Sequence, residues 1–333
     1  MSEAARIRLL LGGLALAVAA LFVLSLLTGP AATGFADALA GLFAGDRGPL
    51  ALIMREIRLP RAILAAAIGA TLGLSGAALQ GYLRNPLAEP GLLGIGAAAS
   101  LGAVLAIYTG LAAALPLGLP LAALAGAVLA VIVVQALAGA SANGLTIILA
   151  GVAVSSFAAA ATSLALNLSP NPFAALEIVF WMLGSLNDRS MTHVWLSLPF
   201  MAAGWAMLAA LARPLDMLTL GEPAARSIGV DMARVRFLAV FGTAASVGAA
   251  TAVAGAIGFV GLVVPHVLRP LVGARPSRLL PASALGGAAL LLAADIAVRL
   301  LAPGRDLKLG VLTALIGAPF FLWLVFRYRR TLT

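Results

Sequence analysis

The sequence predicts an all-α, polytopic membrane protein with about ten transmembrane helices, and three observations carry that prediction. Hydrophobic residues make up 62% of the 333 positions and charged residues only 10%, against roughly 25% charged in an ordinary soluble domain. Mean hydropathy is +1.10. The apolar residues also fall in runs of about 18 or more, the length a helix needs to cross a bilayer. These runs are continuous and rich in Ala and Leu, which excludes the alternating pattern of a membrane β-barrel.

The first run, Leu9 to Leu27, follows Arg6 and Arg8. A secretory signal has an apolar core of about 7–15 residues; this run has 19, so a retained first span over 9–28 is expected. Further spans are expected over 61–81, 92–110, 115–137, 146–166, 193–212, 234–254, 257–273, 281–301 and 309–327. Segment 257–273 is the most interrupted, by Gly258, Gly261 and Pro265. Within the second span Gly69, Gly73 and Gly76 lie close together on one helix, where small residues let helices approach without a hydrophobic drive. No linker, low-complexity tract or soluble domain breaks the chain, so residues 1–333 are expected to form one transmembrane domain.

Two polar stretches stand out between spans. Arg84-Asn85-Pro86-Leu87-Ala88-Glu89-Pro90-Gly91 carries two prolines four residues apart, which cannot both sit inside a regular helix. Its charges and its Asn are costly near lipid, so the run belongs in water, against protein or along a passage. The longest hydrophilic stretch on the side of the termini, Arg213 to Arg236, contains Leu220-Gly221-Glu222-Pro223-Ala224-Ala225-Arg226-Ser227-Ile228-Gly229-Val230. Glycines at both ends and Pro223 just after Glu222 bound a short helix over about 220–230. It reads either as a plain surface loop helix or as a rigid helix offered to a cytoplasmic partner.

Ten spans put both termini on one side. That side holds thirteen of the basic residues: Arg6, Arg8, Arg84, Arg213, Arg226, Arg234, Arg236, Arg269, Arg275, Arg278, Arg327, Arg329 and Arg330. The other holds eight: Arg47, Arg55, Arg58, Arg61, Arg189, Arg299, Arg305 and Lys308. The positive-inside rule therefore places the termini in the cytoplasm. The outer positives, above all Arg58-Leu59-Pro60-Arg61, read either as snorkelling side chains at a helix end or as a docking surface for an acidic partner.

Much chemistry is excluded. The chain has no cysteine, hence no disulfide or thiolate metal site. Two histidines, His193 and His266, are too few and too far apart for a metal centre, and His266 reads as a satisfied buried histidine. No cofactor is expected. The net charge of +9 fits juxtamembrane arginines and implies no nucleic acid. There is no G-x-x-x-x-G-K-[ST], and the single lysine, Lys308, does not follow a glycine-rich turn. No H-E-x-x-H, no G-x-S-x-G and no catalytic carboxylate pair is present, so the chain is not expected to be an enzyme. Asp295 and Arg299 are i, i+4 on one helix face and can pair; the pair reads as neutralising itself while holding a helix end rather than as a proton relay.

The motifs together resemble the FecCD-type permeases, the membrane subunits of type II ABC importers for iron–siderophore, heme and vitamin B12. In order they are R-L-P-R, S-G-A-x-x-Q, R-N-P-L-A-E-P, A-G-V-A, W-x-x-G-S-L, L-G-E-x-A-A-R-x-x-G-V, G-F-V-G-L-V-V-P-H-x-x-R, L-P-A-S-A-L, A-D-x-x-x-R and T-A-L-I-G-A-P-F-F, from Arg58 to Phe321. The resemblance implies a ten-span bacterial inner-membrane subunit that works as a homodimer with the passage on the dimer axis. It also implies two cytoplasmic ATP-binding subunits and a periplasmic or lipid-anchored substrate-binding protein. It places Arg58, Arg61 and Arg299 at the binding-protein docking face. Glu222, Ala225, Arg226 and Gly229 fall on the helix that couples to the ATPase. Asn85, Pro86 and Leu87 fall at the cytoplasmic gate of the translocation path. Ferric siderophore is the cargo it implies first, with heme and cobalamin open.

Two departures stand beside it. Asp306-Leu307-Lys308-Leu309-Gly310 replaces the family's E-L-P-x-G, exchanging a proline for lysine. Ser141-Ala142-Asn143-Gly144-Leu145-Thr146 aligns poorly with a second gate of the vitamin B12 permease, and that gate is not carried over. A proton- or sodium-coupled transporter is the alternative from another class; it needs an unpaired membrane carboxylate, and Asp295 already faces Arg299.

Overall fold

Lipid offers no hydrogen bonds to the backbone, so apolar runs of this kind satisfy their own N–H and C=O groups as helices. The computed structural model describes residues 2–29, 34–43, 48–139, 144–169, 171–301 and 306–332, and contains helices and turns with no strand among them. The helices are α1 (Glu3–Leu27), α2 (Phe35–Phe43), α3 (Pro49–Leu52), α4 (Leu59–Tyr82), α5 (Ile95–Tyr108), α6 (Leu111–Ala114), α7 (Gly118–Ala138) and α8 (Gly144–Asn167). They continue as α9 (Pro172–Met182), α10 (Met191–Ala209), α11 (Ala212–Leu218), α12 (Glu222–Ser227), α13 (Met232–Ala254), α14 (Val260–Leu268), α15 (Pro276–Leu301) and α16 (Leu309–Leu332).

By length and composition, six of these units can cross a membrane: α1, the continuous stretch Pro49–Tyr82, α7, α8, α13 and α15. α10 and α11, bent by 42° at their junction, make a seventh. Every one of the ten expected spans coincides with a helix, but two are shorter than expected. Left-handed glycines, Gly94 and Gly110, bracket α5 and cut it to 14 residues. Phe259 at φ 66° delays α14 to Val260, and a tighter 3₁₀ turn, Arg269–Val272, follows it. The last expected span, 309–327, lies within α16, Leu309–Leu332.

Two further corrections concern segments the sequence reading passed over. α9 is an eleventh apolar helix, started by Asn171, whose Oδ1 accepts the Phe173 N–H at 2.9 Å, with Pro172 in its first turn. That Asn–Pro pair is a helix start rather than part of a long loop. The second span begins at Pro49 rather than at 61, because the π-helical turn Ile53–Arg58 carries α3 into α4 without a break.

α4 is the centre of the molecule. In its unit 83% of the apolar window is buried, against 11% in α1, so α4 packs on protein all round while α1 lies at the periphery. Its most extensive partner is α15. The glycine stripe makes that contact possible: a Cβ on Gly69 would collide with the Gly287 carbonyl, one on Gly73 with that of Ser283, and one on Gly76 with that of Gly261 on α14. Close helix packing is therefore what these glycines serve. Two polar contacts cross the same core: Trp205 Nε1 donates to Thr71 Oγ1 at 2.8 Å, and Ser75 and Ser246 share a hydrogen bond at 3.3 Å.

Candidate functional site

Three places hold the residues singled out by sequence. The first joins α1, α4 and α15. Asp295, fully buried on α15, accepts from Arg61 Nε through both oxygens at 3.0 and 3.1 Å and pairs with Arg61 Nη2 at 2.9 Å. Arg299 Nη2 meets the other carboxylate oxygen at 2.9 Å, while its guanidinium also donates to the Ser25 and Thr28 carbonyls and to Ser25 Oγ. Arg58 is only 4% exposed and donates to the Leu26 carbonyl at 2.9 Å. The expected Asp295–Arg299 pair is present; the sequence reading missed that Arg61 shares it. These arginines already serve the chain's own acceptors, so docking through them requires an incoming carboxylate to join or replace those contacts.

The second place is the 84–91 turn. Arg84 adopts φ 50°. Asn85 folds the next residues back: its N–H donates to the Gln80 carbonyl at 3.2 Å and its Oδ1 accepts the Leu87 N–H at 2.9 Å. That is the Asx turn an Asn before Pro favours. Pro90 opens a 3₁₀ turn, Pro90–Leu93, and packs on Gly261, where an added Cβ would lie 2.8 Å from its Cδ. Gln80, 1% exposed, fixes the α4 end beneath the turn: its amide donates to the Gly261 carbonyl at 3.3 Å and accepts from Arg269. The sequence reading missed the Gln80–Arg269 contact, although both residues stand in quoted motifs.

The turn lies between two cavities. One, of about 740 Å³, is lined by Tyr82, Arg84, Asn85, Leu145, Glu222, Arg226 and Arg236 among others. The other, of about 460 Å³, runs from Glu89, Pro90 and Gly91 along Ser100, Thr162, Val247 and Thr251 to Met182, Ala256 and Phe259. Its direction follows from α13, which starts beside α12 and ends at Ala254, next to Ala256. Glu89 is the one ionisable residue among those lining it. Pro86 and Leu87 sit between the residues facing the first cavity and those facing the second.

The third place is α12. Gly221 at φ 101° and Gly229 at φ 91° supply the backbone turns at its two ends. Ala225 is fully buried and anchors the helix, while Glu222 and Arg226 pair at 2.6 Å on its outer face with 46% and 64% of their side chains exposed. Just before it, Asp216 on α11 accepts the Ser277 N–H at 2.8 Å and its hydroxyl at 2.6 Å. α12 therefore hangs from a segment tied to the first turn of α15.

The remaining residues resolve as follows. His193 Nδ1 accepts the Ser190 N–H in a capping box at the start of α10, and His266 lies edge-on to Phe320 at 5.7 Å. No group of three His, Asp or Glu able to hold a metal occurs among the described residues. At the Pro-to-Lys departure, Lys308 pairs with Asp306 and lies 5.2 Å from the Phe180 ring centroid, and Asp306 accepts from Asn187; these contacts hold the turn in the proline's place. Ser141, Ala142, Asn143, Arg47 and Arg305 lie outside the described residues.

Residues 16–327 match the family model described as the FecCD transport family. The chain is 42% identical to the cobalamin import system permease protein BtuC of Halobacterium salinarum, over 82% of this chain and 73% of that protein. It is 38% identical to the Fe(3+) dicitrate transport system permease protein FecD of Escherichia coli, over 83% and 86%. Among solved structures, an inward-facing ABC transporter of metal-chelate type matches with a TM-score of 0.84 and 33% identity, covering 95% of this chain and 98% of that one.

Proposed function

The chain belongs to the FecCD transport family, a transport permease of the ABC importers for metal chelates, and on that premise we propose that it forms the passage for a bulky metal chelate, ferric siderophore first, moving from a binding protein to the cytoplasm. It works as a homodimer in the bacterial inner membrane, with both termini cytoplasmic and two ATP-binding subunits beneath it. The observation that carries this reading is the 84–91 turn parting two cavities, one running up through the helices and one bounded by α12. Asn85, Pro86 and Leu87 then act as the gate between them.

Glu222 and Arg226 face outward on a helix whose other side is buried, which is how a lever touching a partner has to be built. Closure of the ATPase pair on ATP moves α12, and α12 and Asn85 line the same cavity, so the movement reaches the turn directly. Arg58, Arg61 and Arg299 gather at the opposite ends of α4 and α15, where a carboxylate of the binding protein competes with Asp295 and the carbonyls of α1. The passage holds hydroxyls and small residues rather than a dense set of ligands, so selection among chelates falls to the binding protein. Heme and cobalamin belong to the same reading as alternative cargoes.

The test is ATP-driven uptake into proteoliposomes holding the permease with the ATPase and binding protein encoded beside it. Ferric hydroxamate, ferric citrate, heme and cobalamin are supplied in turn. Accumulation of one of them above the ATP-free control is expected; accumulation of none, with the ATPase active, removes the reading.

A further inference from the structure

The loop between α9 and α10 carries a cation that the coupling and docking argument does not use. Arg189 follows Asp188, which is held at φ 57°. The residue is half-buried, and its Nε is buried with no hydrogen-bond partner. Burial pushes its pKa below the ordinary arginine value, and the charge of neighbouring Asp188 only partly opposes that. No described residue forms an ion pair with it. A buried N–H without an acceptor is costly, and the neighbouring polar side chains are engaged elsewhere: Asn187 reaches Asp306, and Ser190 reaches His193.

The loop's position says where the acceptor comes from. Ser185 N–H donates to the Ala254 carbonyl at 2.7 Å, and Gly310 N–H to the Gly184 carbonyl at 3.2 Å. These bonds set the loop on the end of the passage marked by Met182, Ala256 and Phe259, opposite the 84–91 turn. A delivering protein must seat over that rim to release its cargo.

We propose that Arg189 receives a carboxylate of the extracytoplasmic binding protein at the rim of the passage, a docking contact sharing no bond with the Arg61–Asp295–Arg299 cluster. A planar guanidinium matches a carboxylate in bidentate fashion, and one with a nitrogen already buried has less water to lose on binding. The inference rests on the binding-protein partner proposed above.

The experiment measures affinity between the purified permease–ATPase complex and the binding protein encoded beside it, for the native chain and for Arg189→Glu, Arg189→Gln and Arg189→Lys. Arg189→Glu is expected to weaken binding about tenfold or more, Arg189→Gln by less, and Arg189→Lys to retain part of the affinity and its salt dependence. Arg189→Gln keeps the test decisive if the reversal fails to assemble, as judged by its elution as an intact complex. Native affinity in both Arg189→Glu and Arg189→Gln overturns the inference alone, including the case where Arg189 proves to hold a lipid phosphate. A native complex that binds no such protein overturns the inference and the functional reading together.

Discussion

Arg61 and Asp295 stand 234 positions apart in the chain, yet Arg61 Nε lies 3.0 and 3.1 Å from the two carboxylate oxygens of Asp295. The contact closes α4 against α15 at the end opposite α12, and Arg299 adds a second guanidinium to the same buried carboxylate. Removing the anion leaves two desolvated cations facing each other. Asp295→Asn keeps the shape and deletes the charge, and is expected to destabilise the permease by about 3 kcal/mol. Asp306→Asn, at a carboxylate 57% exposed, is expected to cost about 0.5 kcal/mol or less. Unfolding midpoints in detergent compare the two; equal midpoints would show that the buried pair adds nothing.

The α4–α15 contact gives a second prediction. Gly73 meets the Ser283 backbone, which cannot rotate away as a flexible side chain would. Gly73→Ala must push the helices apart, at about 1–3 kcal/mol, and lowers the yield of folded protein. Gly12 on α1 has open space around it, so Gly12→Ala is neutral or mildly stabilising through helix propensity. A yield unchanged in Gly73→Ala and matching Gly12→Ala would mean that the stripe tolerates a wider spacing.

What the sequence made legible was local or periodic. The Asp295–Arg299 pair follows from i, i+4 spacing, the limits of α12 from its glycines and Pro223, and the close approach along α4 from its glycine stripe. What it hid was decided by tertiary packing. Nothing near Arg61 announces a partner at Asp295, and nothing near Gln80 announces Arg269. α9 carries no span signal because its 11 residues fall short of the roughly 20 needed to cross a bilayer. The burial of Arg58 was invisible for the same reason: its acceptor, the Leu26 carbonyl, belongs to another helix and carries no side-chain signal.

Asn85 supports the 84–91 turn through one side-chain acceptor for the Leu87 N–H. Asn85→Asp keeps that acceptor, whereas Asn85→Ala removes it and leaves a donor beside a cavity to find water. If the turn is the gate, Asn85→Ala raises ATP-independent efflux of preloaded cargo from proteoliposomes by severalfold, while Asn85→Asp stays near native. Equal leak rates in all three would leave the turn as a shaping element of the exit rather than its barrier.

If α12 is the helix that couples to the ATPase, the Glu222–Arg226 pair separates coupling from stability. Both side chains are about half exposed, so their mutual attraction is worth only about 0.3–0.5 kcal/mol. The exchange Glu222→Arg with Arg226→Glu preserves a pair on the same helix, though with the less favourable orientation for the helix dipole. The unfolding midpoint is therefore expected to stay within a degree or so, while a partner that reads the charges in order is presented with the reverse pattern. Transport per ATP hydrolysed should then fall severalfold in the assembled complex. Asp216→Ala acts from the other side of the same device: it removes both hydrogen bonds to Ser277, loosening α12 from α15 without altering the surface offered to the partner. It should lower stability by about 1–3 kcal/mol and reduce transport per ATP while leaving ATPase binding intact. Were the charge exchange to leave both binding and transport native, α12 would not be the helix that feels the ATPase.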